Sequence, residues 1–112
     1  MIQGGDPNTR SDDLQTWGAG GPGYTLPYEE TGLFHFSGVL SAAKRGQEIE
    51  SSGSQFFITA APAHHLDGKR VVFGRLSEGL DVIRRLASLP LADSGSGRPL
   101  SPPLVISARI AT

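Results

Sequence analysis

The sequence predicts an all-β domain, a sandwich or barrel, with one inserted helix. Apolar residues fall in short segments separated by turn residues, the spacing of a sheet with many turns. Fifteen glycines and eight prolines among 112 residues suit tight turns better than a helical bundle. Only one stretch carries apolar residues at spacings of three and four, and 112 residues fit one small domain able to bury a core.

Four segments rich in β-branched and aromatic residues are the strand candidates: Val39–Ala43, Gln55–Thr59, Val71–Leu76 and Leu104–Ile110. The helix is expected from Glu78, where Leu80, Ile83, Leu86 and Ala87 share a face. Ser77 is its candidate N-cap and Pro90 lies just past its end. Its early acids, Glu78 and Asp81, and late arginines, Arg84 and Arg85, suit the helix dipole. Residues 6–31 read as a long loop with one short strand around Tyr24–Leu26, and residues 91–103 as a second irregular stretch. Asp67-Gly68 marks a tight turn before the third strand candidate.

Composition excludes several functions. A net charge of −1, with basic residues scattered as Lys44-Arg45, Lys69-Arg70 and Arg84-Arg85, does not build a phosphate-neutralising surface, so no nucleic-acid partner is expected. No apolar run reaches the roughly 18–20 residues of a membrane helix, and no cysteine is available for a disulfide or thiolate metal site. Gly18–Gly23 matches the dinucleotide pattern G-x-G-x-x-G, but Pro22 and Pro27 forbid the helix that must follow it. His64 and His65 are neighbours that point apart in extended chain, so no metal site is assigned to them, and His35 between Phe34 and Phe36 reads as a hydrogen-bonded core or boundary histidine. Ser54 lacks the flanking glycines of a nucleophile elbow. The pairs Asp12-Asp13 and Glu29-Glu30 are read as loop charges.

Three blocks carry more information together than singly: Met1-Ile2-Gln3-Gly4-Gly5-Asp6, Gly53-Ser54-Gln55-Phe56-Phe57-Ile58 and Leu66-Asp67-Gly68-Lys69-Arg70-Val71-Val72-Phe73-Gly74. In this order and separation they resemble the cyclophilins, a class of peptidyl-prolyl cis-trans isomerases that bind cyclosporin. The glycine-rich stretch Gly18–Tyr24, the segment Gly38–Ala43 and the segment Ser77–Ile83 add to the resemblance, which extends from Met1 to about Ile110.

The resemblance implies a closed antiparallel eight-stranded barrel with a helix at each end and a substrate groove on its outside. The implied activity is rotation about X-Pro peptide bonds, assisting protein folding, with proline-containing peptides and unfolded proteins as partners and no cofactor or metal. By the same resemblance Gln3 hydrogen-bonds the substrate backbone, and Phe57 and Leu66 wall the proline pocket; these are the candidate catalytic residues. Ala43, Lys44, Gln55, His65 and Arg70 are the candidate substrate-binding residues. Lys44 stands where the family usually has asparagine, and Arg70 replaces the usual pocket histidine. His65 stands where many members carry the tryptophan important for cyclosporin affinity, so weak cyclosporin binding is expected.

In such a domain two strands and a helix precede the block at Met1–Asp6. Residues 1–112 are therefore expected to be roughly the C-terminal two thirds of a single domain, with an incomplete barrel. The family's catalytic arginine would lie in the preceding part, and loss of one such preorganised donor costs roughly 10²- to 10³-fold in rate. A non-catalytic proline-peptide-binding module of the same fold is the alternative expectation. A cytoplasmic location is expected, any N-terminal signal lying upstream of Met1.

Overall fold

The computed structural model describes residues 1–45, 48–93 and 95–111. Its centre is a four-stranded antiparallel sheet made of β1 (Ile2–Gly4), β2 (Val39–Ala42), β3 (Phe56–Ile58) and β4 (Val72–Arg75), in the order β1-β3-β2-β4. Three of these strands lie inside segments expected from β-branched and aromatic content. The β1 strand was not among them, because Ile2 is its one apolar residue and Gln3-Gly4 carry no strand preference.

The sheet is open, and its two faces are unlike. Along β2 the residues alternate between buried Val39 and Ser41 and half-buried Leu40 and Ala42, which is the two-residue period of a strand covered on one face. Phe57 lies on the covered face with Ser41, its register partner, while Phe56 and Ile58 lie on the other, less covered face. A bulge between Leu40 and Ser41 in the β2–β4 pairing sets Leu40 against Gly74 and Ser41 against Val72, leaving Phe73 as the extra residue. Such an insertion raises local twist and bends the strand.

The one α-helix among the described residues, α1 (Leu80–Ala87), begins at Gly79 rather than at Ser77. Gly79 takes the left-handed conformation at φ 93°, which a side chain would strain, and its carbonyl accepts from Ile83 N. Ile83 is the helix's buried residue, and Arg84 ties α1 to the loop after β3 through Nε to Ala60 O at 3.2 Å. No helix is long and apolar enough to cross a membrane among the described residues.

Two sequence expectations need correction. Tyr24–Leu26 forms no strand; only Leu26 makes an isolated bridge, to Ser51, and residues 6–31 otherwise hold two short 3-10 turns, Pro7–Arg10 and Leu14–Thr16. Leu104–Ile110 also forms no strand. Among the described residues no backbone hydrogen bond joins it to another segment, and Leu104 and Ile106 are 84% and 92% exposed. β-propensity describes fit to a half-buried pleated surface, and without a neighbouring edge that preference has nothing to act on.

The long loop is held to the sheet by polar contacts. Asp6 is buried; its carboxylate accepts from Asn8 N at 2.9 Å and from Gly18 N. A Cβ on Gly20 would stand 2.1 Å from Asp6 Oδ1, so only glycine lets the loop pass this close. Gly53, at φ 92°, likewise has no room for a side chain, since its Cβ would meet Tyr24 O at 2.3 Å.

Candidate functional site

The described residues bury more polar than apolar side chains: His35, Ser41, Ser52, Gln55 and Thr59 are all at most 3% exposed. Every buried side-chain nitrogen and oxygen among the described residues has a partner. Satisfied networks of this kind fix side-chain positions, which an apolar core of the same size would leave freer to repack.

One network starts at the β1–β3 pair. Gln3 and Phe57 are register partners, so they sit opposite each other across the two strands. Gln3 Nε2 donates to Gln55 Oε1 at 2.8 Å, and Gln55 Nε2 donates to Gly20 O at 2.8 Å and Gly18 O at 3.1 Å. The Gln55 amide thus locks the glycine loop and sets the orientation of Gln3. Gln3 itself is exposed, and its Oε1 has no partner among the described residues, so it can accept from an incoming peptide. The β2–β3 ladder continues past the strand ends through Ala43 N to Gln55 O at 3.0 Å, which sets buried Ala43 beside Gln55.

A second network lies behind Phe57. The Phe57 ring is 3% exposed and stacks on the His35 ring, with centroids 5.8 Å apart and planes 9° from parallel. Fully buried His35 meets Asp67 Oδ1 through Nδ1 at 2.8 Å and Ser41 Oγ through Nε2 at 2.9 Å, and its backbone N–H donates to Asp67 Oδ1 at 2.7 Å. The second Asp67 oxygen meets His64 Nδ1 at 2.8 Å. Asp67-His35-Ser41 has the connectivity of a hydrolase triad. Ser41 is nevertheless fully buried and its hydroxyl donates to Val71 O at 3.1 Å, so no substrate carbonyl reaches it.

Burial pushes the Asp67 carboxyl up, but the His35 backbone N–H, the His35 ring and the His64 ring outweigh it and hold it down at about 2, from 3.8. A lowered folded-state value contributes stability that is complete above the unfolded value and is lost as pH falls through the folded one. Acid is therefore expected to remove this contribution between about pH 4 and pH 2. Urea midpoints measured across that range should fall less in Asp67→Ala than in the parent; equal slopes would show that Asp67 is not the group responsible.

The remaining candidates are more dispersed. Leu66 and His65 lie on the 3-10 turn His64–Leu66, Leu66 half-buried and His65 exposed. Leu66 O accepts from Lys69 N and Arg70 N, closing the turn at Asp67-Gly68 that the sequence marked. Lys44 and Arg70 line a cavity of about 340 Å³ with Ala42, Gln55, Phe56 and Phe73. Burial and then nearby Arg70 lower the Lys44 ammonium from its ordinary value, and among the described residues neither cation forms an ion pair. Gln3, Ala43, Gln55 and Phe57 are thus contiguous, Leu66 and His65 join them by way of Asp67 and His35, and Lys44 and Arg70 border the cavity.

Sequence reasoning placed His35 correctly as a hydrogen-bonded buried histidine but gave it, Asp67 and Ser41 no part in the site. A signal was present: Ser41 interrupts an otherwise apolar strand, and His35 interrupts two phenylalanines.

Residues 1–110 match the family model for the cyclophilin-type peptidyl-prolyl cis-trans isomerases. The chain belongs to the cyclophilin family. Among curated cyclophilin relatives, the peptidyl-prolyl cis-trans isomerase-like 1 of Neurospora crassa is 41% identical over 98% of this chain and 64% of its own length. The peptidyl-prolyl cis-trans isomerase D of Mycosarcoma maydis is 45% identical over 80% of this chain and 21% of its own. A crystal structure of a Cryptosporidium parvum cyclophilin-type isomerase superposes with a TM-score of 0.69 at 33% identity, covering 89% of this chain and 60% of that one. A second structure of that protein, in the presence of the dipeptide Ala-Pro, gives 0.68. The chain spans less than two thirds of the length of these relatives.

Proposed function

We propose that the chain carries the peptide groove of a peptidyl-prolyl cis-trans isomerase acting on X-Pro bonds of unfolded and proline-containing chains. Rotation about the amide must overcome a barrier of about 18–20 kcal/mol that arises from lost resonance. No nucleophile is needed; binding the twisted amide more tightly than the planar one suffices. Gln3, Phe57 and Leu66 are the proposed catalytic set, with Ala43, Lys44, Gln55, His65 and Arg70 contacting the peptide. The observation that carries this reading is the Gln3–Gln55 amide pair set in register beside Phe57, in a chain of this family. The Ala-Pro dipeptide named with the Cryptosporidium parvum relative supports proline as the recognised residue.

We further propose that residues 1–112 are part of one domain whose sheet continues into a closed eight-stranded barrel. The open sheet and the shares of 64% and 60% of the relatives' lengths support this. A protease-coupled assay on a succinyl-Ala-Ala-Pro-Phe anilide tests the activity: faster cis-to-trans conversion than in buffer is expected. Binding without acceleration would instead favour a proline-binding module of the same fold. With His65 in place of an indole, calorimetry with cyclosporin is expected to give only weak binding, and a nanomolar complex would overturn the role given to His65.

A further inference from the structure

We infer that His35, Asp67 and His64 are positioning residues for the proline pocket, a role that rests on the isomerase reading above. None of the three need touch substrate. Phe57 and Leu66, the two apolar walls, belong to different segments, β3 and the turn His64–Leu66. Between them the described hydrogen bonds run through His35, whose carbonyl accepts from Ala63 N at 2.8 Å at the start of the turn and whose backbone N–H and ring meet Asp67 at its end. Asp67, next to Leu66 in sequence, uses Oδ1 on the backbone and ring of His35 and Oδ2 on His64 of the same turn. The His35 ring in turn lies flat against Phe57 and is anchored on its far side by Ser41 of β2. A carboxylate that holds both a ring and a turn at 2.7–2.8 Å fixes the distance between the walls. Charge-assisted bonds of this length are among the stronger and more directional ones.

The two ends of the connection differ in burial. His35 is sealed in the core, whereas the His64 side chain is 49% exposed. Phe36 meets the His64 ring edge-on at 5.0 Å, so the ring is braced without being buried. Loosening the His64 end should therefore widen the pocket while leaving the fold intact, and removing the His35 ring should also let Phe57 tilt. Small displacements of orienting groups are costly: a misplacement of about 1 Å can lower rates by up to about 10²-fold.

The test uses the full chain and the succinyl-Ala-Ala-Pro-Phe peptide. His64→Ala is expected to raise KM, and the Kd from calorimetry, by several-fold to about tenfold, with the fold retained and only a small fall in the thermal midpoint. His64→Asn, whose Nδ2 can replace Nδ1 as donor to Asp67, is expected to restore the parent values. His35→Asn keeps a donor toward Asp67 but loses the ring, and is expected to lower kcat and shift the Phe57 ring resonances. If the parent binds and turns over the peptide while all three variants match it at temperatures where they are folded, the positioning role is overturned and the isomerase reading stands. If the parent gives neither binding nor turnover, both are overturned.

Discussion

Phe57→Ala is expected to destabilise the domain by about 3–5 kcal/mol, the range for deleting a buried aromatic side chain. Phe57 is 3% exposed and is the largest apolar side chain in the described core, whose other members are Val39, Ala43, Val72 and Ile83. A core this small has few neighbours able to collapse into the vacated space, and the His35 ring would lose the surface it stacks on. Against a total stability of about 5–15 kcal/mol for a small domain, the loss is a large fraction, read as a lower urea midpoint with an unchanged slope. Phe56→Ala is the matched comparison. Phe56 is adjacent in sequence but points to the less covered face, and its removal should cost clearly less. Equal effects of the two substitutions would mean that the faces are not distinct.

Gln55→Leu is expected to be the second most damaging change, for a different reason. Leucine nearly fills the volume but has no polar atoms, so Gly20 O and Gly18 O lose their donor and Gln3 Nε2 loses its acceptor. A buried polar group left unpaired costs about 1–3 kcal/mol, and Gly20 is a buried residue. Gln55→Glu separates the polar effect from the steric one. A carboxylate still accepts from Gln3 but presents oxygen to two carbonyls, so it should be at least as destabilising as leucine. Gln55→Leu should also weaken binding of a proline peptide, because the Gln3 amide loses the acceptor that fixes its orientation, whereas Gln55→Glu keeps that acceptor and should weaken binding less. A Gln55→Glu chain with parent stability would overturn the hydrogen-bond assignment.

The strands at the centre of the sheet and the helix were readable from apolar spacing, because burial on one face leaves its period in the sequence. The helix start was misread at Ser77: capping preference names a residue type, whereas the chain turns at Gly79, where positive φ is required. Leu104–Ile110 was misread because strand propensity is silent about whether an edge is there to pair with. At the site, Gln3, Phe57 and the other candidates came from motif order and resemblance. The polar layer under Phe57 did not, since a lone serine or histidine inside an apolar run does not say which distant carboxylate will meet it. Asp67 and His35 are 32 positions apart and become partners only in the folded chain.

The turn at Asp67-Gly68 bears on how the chain ages. An aspartate followed by glycine is prone to succinimide closure, because the unhindered glycine nitrogen can attack the side-chain carboxyl and the ring then reopens to isoaspartate. That attack needs a carboxyl that is protonated and free to swing onto the backbone. Here both oxygens are engaged, one by His35 and one by His64, and the group stays ionised down to about pH 2. The hydrogen bonds that brace the pocket therefore also protect the covalent backbone at this Asp-Gly bond, and chemical damage there should track the fraction of chains that are unfolded.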